Sequence, residues 1–131
     1  MIKFILFIIN IHLVIASNEC FELNDANVEL SGHEFTIKGE GKMCNCYNNK
    51  FTVEKYSISS ITFQNTVTSI GNTCFMNFRE LNTINFGSSI QEIGQYAFYN
   101  TKLTQIIIPQ SVKLIESNAF GENKKRTKMC F

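Results

Sequence analysis

Ile84-Asn85-Phe86-Gly87-Ser88-Ser89-Ile90-Gln91-Glu92-Ile93-Gly94-Gln95-Tyr96-Ala97-Phe98 is the stretch on which the fold turns. Its first residues alternate in character. Its later apolar residues, Ile90, Ile93 and Phe98, come three and then five apart, and a small residue precedes the final ring. Moved along the chain, the pattern recurs at offsets of 23 and 22 residues. Ile61, Ile84 and Ile106 form one column, and Phe63, Phe86 and Ile108 a second. Val67, Ile90 and Val112 follow, then Ile70, Ile93 and Ile115, then Cys74, Ala97 and Ala119, then Phe75, Phe98 and Phe120. Six columns with one shared shift define three repeats, 58–80, 81–102 and 103–124.

In each repeat the first half alternates as a half-buried strand must, with Ile61 and Phe63 on one face and Ser60, Thr62 and Gln64 on the other. The second half is too short in its periodicity for an amphipathic helix, and its spacing predicts a tight turn and a short helical segment that plants one Phe in the core. A single repeat cannot cover its own apolar face. Stacked repeats can, with the strands in a parallel ladder and the Phe column continuous.

Ile84-x-Phe86-x-x-Ser89-Ile90-x-x-Ile93-Gly94-x-Tyr96-Ala97-Phe98 and Leu103-x-x-Ile106-x-Ile108-Pro109-x-Ser111-Val112-x-x-Ile115-x-x-x-Ala119-Phe120 resemble the BspA-like (Treponema-type) leucine-rich repeat of surface antigens. The resemblance covers 58–124 and extends back to 34–43, which is similar to the strand and glycine turn preceding such arrays. It implies a repeat solenoid, β-dominated α/β, with a parallel β-ladder, short second strands or turns and short helical segments. It also implies a place at the cell surface and attachment to host matrix or other microbes. Three departures stand out: Glu116 occupies a Gly position, Cys74 an Ala position, and Pro occurs once, at Pro109. Solenoids need a polar closing unit, and only 125–131 follow the third repeat. A shortened or truncated family member, or an end that docks on another chain, is therefore expected.

The remainder of the 131 residues divides around this array. Met1-Ile2-Lys3 followed by an apolar run to Ile15 and by Ala16 reads as a secretory signal peptide over 1–16. The run is shorter than the roughly 20 residues of a spanning helix, so no transmembrane anchor is expected after cleavage. Residues 17–57 form an amino-terminal cap region with a strand near 34–43, and 125–131 form a basic tail. The whole chain carries 12 Lys and Arg against 11 Asp and Glu, and loss of Lys3 balances the two. With no net field there is no reason to expect nucleic acid as a partner. Length and composition exclude a multidomain enzyme, a collagen-like chain and a charge-driven disordered chain.

Few residues suggest chemistry. Five cysteines in a secreted chain are an odd number and leave at least one without a partner in the chain. Cys20, Cys44 and Cys46 are the candidates for a disulfide on the amino-terminal side, and Cys74, in the Ala column, is expected buried and free. Cys130 is a candidate for an intermolecular bridge. The Cys44-Asn45-Cys46 spacing with His33 lacks the second ligand pair of zinc sites. His33 also lacks an orienting group for nucleophilic catalysis and is expected in an exposed turn. No cofactor, metal or catalytic residue is expected.

The outward strand positions, Ser60, Thr62, Gln64, Thr83, Asn85, Gln105 and Ile107, form the expected binding face. Inward positions Ile61, Phe63, Ile70, Phe75, Ile84, Phe86, Ile93, Phe98, Ile106, Ile108, Ile115 and Phe120 form the expected core. The expected function is a secreted or cell-surface binding or adhesion module for a protein or glycan on a host, matrix or microbial surface. The alternative is an assembly element that self-associates through Cys130 or its last repeat.

Overall fold

A computed structural model describes residues 20–47, 57–123 and 128–131; the leader read over 1–16 lies outside them. The alternation of Ser60-Ile61-Thr62-Phe63 produces strand β4, Ser60–Phe63, with Ile61 and Phe63 buried and Ser60 and Thr62 half-buried. The same alternation gives β2 (Glu34–Ile37), β6 (Thr83–Asn85) and β8 (Gln105–Ile107), and β10 (Lys128–Cys130) adds a rung whose Met129 stays exposed. β2, β4 and β6 pair in parallel, and β8 pairs in parallel with β10. Ahead of them β1 (Val28–Ser31) folds back antiparallel on β2 through Gly32, whose φ of 60° suits glycine.

A second parallel ladder runs through β3 (Gly41–Lys42), β5 (Val67–Ile70), β7 (Glu92–Ile93) and β9 (Leu114–Ile115). Each coil of the chain therefore contributes one rung to each ladder, and apolar columns from both meet between them. Val67, Ile70, Ile90 and Ile93 from the second ladder are buried with Phe35, Ile37, Ile61 and Phe63 from the first. Two aromatic columns fill the centre. Phe75, Phe98 and Phe120 stack with centroids 5.4 and 5.5 Å apart, and Phe63 stacks on Phe86 at 6.1 Å. The columns meet edge to face, Phe63 against Phe75 at 5.6 Å and Phe86 against Phe98 at 6.1 Å, the arrangement that ring quadrupoles favour. The expected core residues lie here, with Ile84, Phe86, Ile115 and Phe120 only half-buried.

The short helical segments expected in each repeat are replaced by turns, and no helix occurs among the described residues. Two observations explain this. Left-handed residues recur in the same columns, Thr73 and Asn77, Tyr96 and Asn100, Asn118 and Glu122, and each interrupts a right-handed helix. In addition, backbone donors here reach the next coil rather than back along their own. Phe75 N–H donates to the Ala97 carbonyl at 2.9 Å, Asn77 to Tyr99 at 2.9 Å, Phe98 to Ala119 at 2.7 Å and Asn100 to Gly121 at 2.9 Å. A helix would need those donors for itself.

Disulfides tie the first coils together. Cys20 bonds to Cys44, and Cys46 bonds to Cys74. The second pairing corrects the expectation that Cys74 is free. Its place in the Ala column keeps it buried, but the neighbouring coil brings Cys46 to a Cα separation of 4.7 Å, one rung spacing away and well inside disulfide reach. Gly71 is required beside this junction, since a Cβ there would collide with the Cys44 carbonyl. In the same column Gly94 abuts Asn72, whereas exposed Glu116 turns its carboxylate to accept the Gln95 N–H at 3.2 Å. The segment read as a basic tail also differs from a solvated end, because Lys128–Cys130 is a ladder rung.

Candidate functional site

Alternation along each strand sends two rows of side chains to the outer face of the first ladder. Register places Glu34, Ser60 and Thr83 in one row and Thr36, Thr62 and Asn85 in the other. Gln105 beside Lys128 and Ile107 beside Cys130 occupy the corresponding rows on β8 and β10. Of the seven residues read from sequence as a binding face, Gln64, Thr83, Asn85, Gln105 and Ile107 are exposed, and Ser60 and Thr62 are half-buried. A hydrogen-bond chain crosses the first three rungs. Asn85 Nδ2 donates to Thr62 Oγ1 at 3.2 Å, and the Thr62 hydroxyl donates to Glu34 Oε1 at 2.9 Å. Sequence reasoning missed Glu34 and Lys128 as part of this face. Lys128 was findable, standing 23 residues after Gln105 as Thr83 stands 23 after Ser60; Glu34 stands 26 before Ser60, outside the period.

The face is divided by a break in the ladder. No strand pairing joins β6 to β8, and between them lies a cleft of about 600 Å³ lined by Asn82, Thr83, Asn85, Gln105, Ile107 and Pro109, with Ile84 and Phe86 behind. It unites four of the expected face residues and leaves Ser60, Thr62 and Gln64 outside. Pro109 stands at the edge of the break. It stands in the column of Gln64 and Gly87, where the Gln64 N–H donates to the Ile37 carbonyl of the preceding coil at 3.0 Å. Proline has no such donor, so position 109 cannot make that bond, although Gly87 donates no backbone bond either while β4 and β6 pair.

The opened edges carry backbone polar groups. Thr83 N–H donates to the Ser59 carbonyl, so the N–H and C=O of Ile84 point the opposite way, towards β8. Thr104 and Ile108 bond towards β10, which turns the N–H and C=O of Gln105 and Ile107 towards β6. Beyond both ends of the cleft the coils remain joined. Lys102 N–H donates to Leu81 O at 2.8 Å on one side, and Leu114 N–H to Gln91 O at 3.1 Å on the other. A second hollow of about 230 Å³ lies over the other ladder, lined by Lys42, Ser69, Asn72, Glu92 and Glu116 together with Cys20 and Cys44.

The remaining candidates are placed apart. His33 is an exposed turn residue whose carbonyl accepts Ser59 and Ser60 N–H groups. Cys44 and Cys46 are both held in disulfides. No group of three or more His, Cys, Asp or Glu side chains able to hold a metal occurs among the described residues. No described helix is long and apolar enough to cross a membrane. Cys130 is the free thiol among the described cysteines, with Gln105 Nε2 4.0 Å from its sulfur.

A family model described as the BspA type leucine-rich repeat region, with six copies, matches residues 45–131, two thirds of the chain. The chain belongs to the BspA-type leucine-rich repeat family. For this BspA-type chain, no curated protein matches. A solved structure, the crystal structure of a leucine-rich repeat protein from Eubacterium ventriosum, is similar at 20% identity with a TM-score of 0.39. That match covers 64% of this chain and 35% of the solved one, so the BspA-type array here spans about a third of its neighbour's length.

Proposed function

We propose that this BspA-type chain is a secreted or surface-displayed adhesion module that presents the outer face of its first ladder to a macromolecule on a host, matrix or microbial surface. The observation that carries this reading is the exposed face itself. Thr83, Asn85 and Gln105 offer hydroxyl and amide groups beside an Ile107 that is 73% exposed. Family membership supports a binding role, and a fold braced by two disulfides suits an oxidising compartment. The hydroxyl and amide groups of Thr83, Asn85 and Gln105 suit hydrogen bonding to a macromolecule.

Expression of the full chain in its native cell, followed by fractionation, tests the placement. The protein should appear in the medium or on the washed cell surface with an amino terminus at Ser17 or Asn18. Retention in the cytosol with Met1 intact would contradict it. Saturable binding of the purified protein to cells or extracellular matrix tests the activity.

A second reading, self-association, is favoured by Met129 and Phe131, which are 44% and 88% exposed next to the free thiol of Cys130. A dimer on sizing that disappears with reductant would support it; a monomer in both conditions would remove it.

A further inference from the structure

We infer that the cleft between β6 and β8 binds a neutral saccharide, an inference that rests on the adhesion reading and names the class of group which that face would recognise. Charge is the first argument. None of the residues lining the cleft is ionised, and Lys102 is paired with Glu80 at 2.6 Å outside it. A sulfated or sialylated chain would find no charge in the lining itself, with Lys128 standing beside Gln105 at its edge.

Hydrogen-bonding capacity is the second argument. Asn85 and Gln105 each offer donor and acceptor capacity on one planar amide, while Asn82 and Thr83 are bonded to each other, the Thr83 hydroxyl donating to Asn82 Oδ1 at 2.9 Å and Asn82 Nδ2 to the Glu80 carbonyl at 3.2 Å. Adjacent hydroxyls on a pyranose ring present the complementary pair. Asn85 already donates through Nδ2 to Thr62, which leaves its carbonyl oxygen oriented by that bond. Ile107 and Pro109 provide an apolar platform on which the C–H face of a sugar ring can lie.

The opened ladder separates a sugar from a peptide. Main-chain groups of Ile84 face those of Gln105 and Ile107 across the gap, and only a small group that both gives and takes hydrogen bonds from one atom can serve both sides. A hydroxyl does so. An extended peptide would need a further strand spacing of about 4.8 Å on each side. The bonds from Lys102 to Leu81 and from Leu114 to Gln91 hold the two coils too close at the cleft's ends for that insertion.

The test uses the full secreted protein and three neutral probes, maltotriose, cellotriose and triacetylchitotriose, observed by saturation-transfer NMR and titration. At least one should bind, with little change between low and high salt. Asn85→Ala with Gln105→Ala should weaken it by about tenfold or more, the effect expected when hydrogen bonds of this kind are lost, while the thermal midpoint stays within a few degrees. Should that pair fail to fold, Gln105→Ala alone provides the same reading. Binding of none of the three probes, binding indifferent to these substitutions, or preference for heparin over all three would overturn the inference.

A parallel measurement separates it from the adhesion reading. If periodate-treated cells, stripped of intact glycans, still bind the protein as before, the saccharide inference fails and adhesion to protein stands. If untreated cells are not bound at all, the adhesion reading fails.

Discussion

Glu122 and Asn100 share a backbone column and a left-handed conformation, at φ of 51° and 55°, yet replacing each by glycine should act differently. A non-glycine residue in this region costs about 1–2 kcal/mol, part of which glycine regains and part of which it loses through its freer unfolded chain. Glu122 is exposed, so Glu122→Gly should stabilise the protein by about 0.5–1 kcal/mol. Asn100 donates from Nδ2 to Asn77 Oδ1 of the preceding coil at 2.8 Å. Asn100→Gly should therefore give no gain, because the lost inter-coil bond is of similar size. Urea denaturation of the two variants checks the sign of each. These residues also mark what the sequence concealed. The apolar columns were legible because hydrophobic periodicity is read directly, whereas a left-handed Thr73, Tyr96 or Glu122 carries no local signal of the kind that glycine gives. The helical expectation failed at those positions.

Ladder rungs were legible wherever the period held and obscure where it did not. β4, β6 and β8 follow from alternation and the 23- and 22-residue offsets. β10 obeys the same period and lies within the segment read as a basic tail. The break between β6 and β8 could not be read from periodicity, since Ile84 and Ile106 keep their columns on either side of it. Pro109, which has no N–H to give, lines it. If the missing donor at Pro109 keeps the rungs apart, Pro109→Ala should restore a bond to the preceding coil. The new amide should then exchange slowly with solvent, and the amides of Gln105 and Ile107 should become protected with it. Fast exchange at all three in Pro109→Ala would assign the break to the strands themselves.

At the scale of the whole molecule, the stack depends on its first coils being fixed to one another. The Cys20–Cys44 and Cys46–Cys74 bridges span 24 and 28 residues, and loop closure of that length corresponds to about 3 kcal/mol each. For a chain this small that is a large share of an expected stability of about 5–15 kcal/mol. Cys46→Ala with Cys74→Ala should lower the thermal midpoint by about 10 °C or more, with the first coil loosening before the later ones, because neighbouring repeats support one another only in sequence. A variant as stable as the parent would show that the aromatic columns alone hold the array. Sequence gave the cysteines but not this pairing: Cys74 sits where alanine recurs, and its partner belongs to a coil whose register, 26 residues from β2 to β4, departs from the period. The exposed face was legible as outward positions, while Glu34 and the cleft were set by stacking. The central claim is that this face does the binding. Thr62→Lys, Asn85→Lys and Ile107→Lys combined place three charges across it, on rungs where none of the three side chains is in the core. Measured side by side for retention on cells or matrix, the parent should bind and the triple variant should not, with unchanged circular dichroism. Equal retention of the two folded proteins would contradict the account.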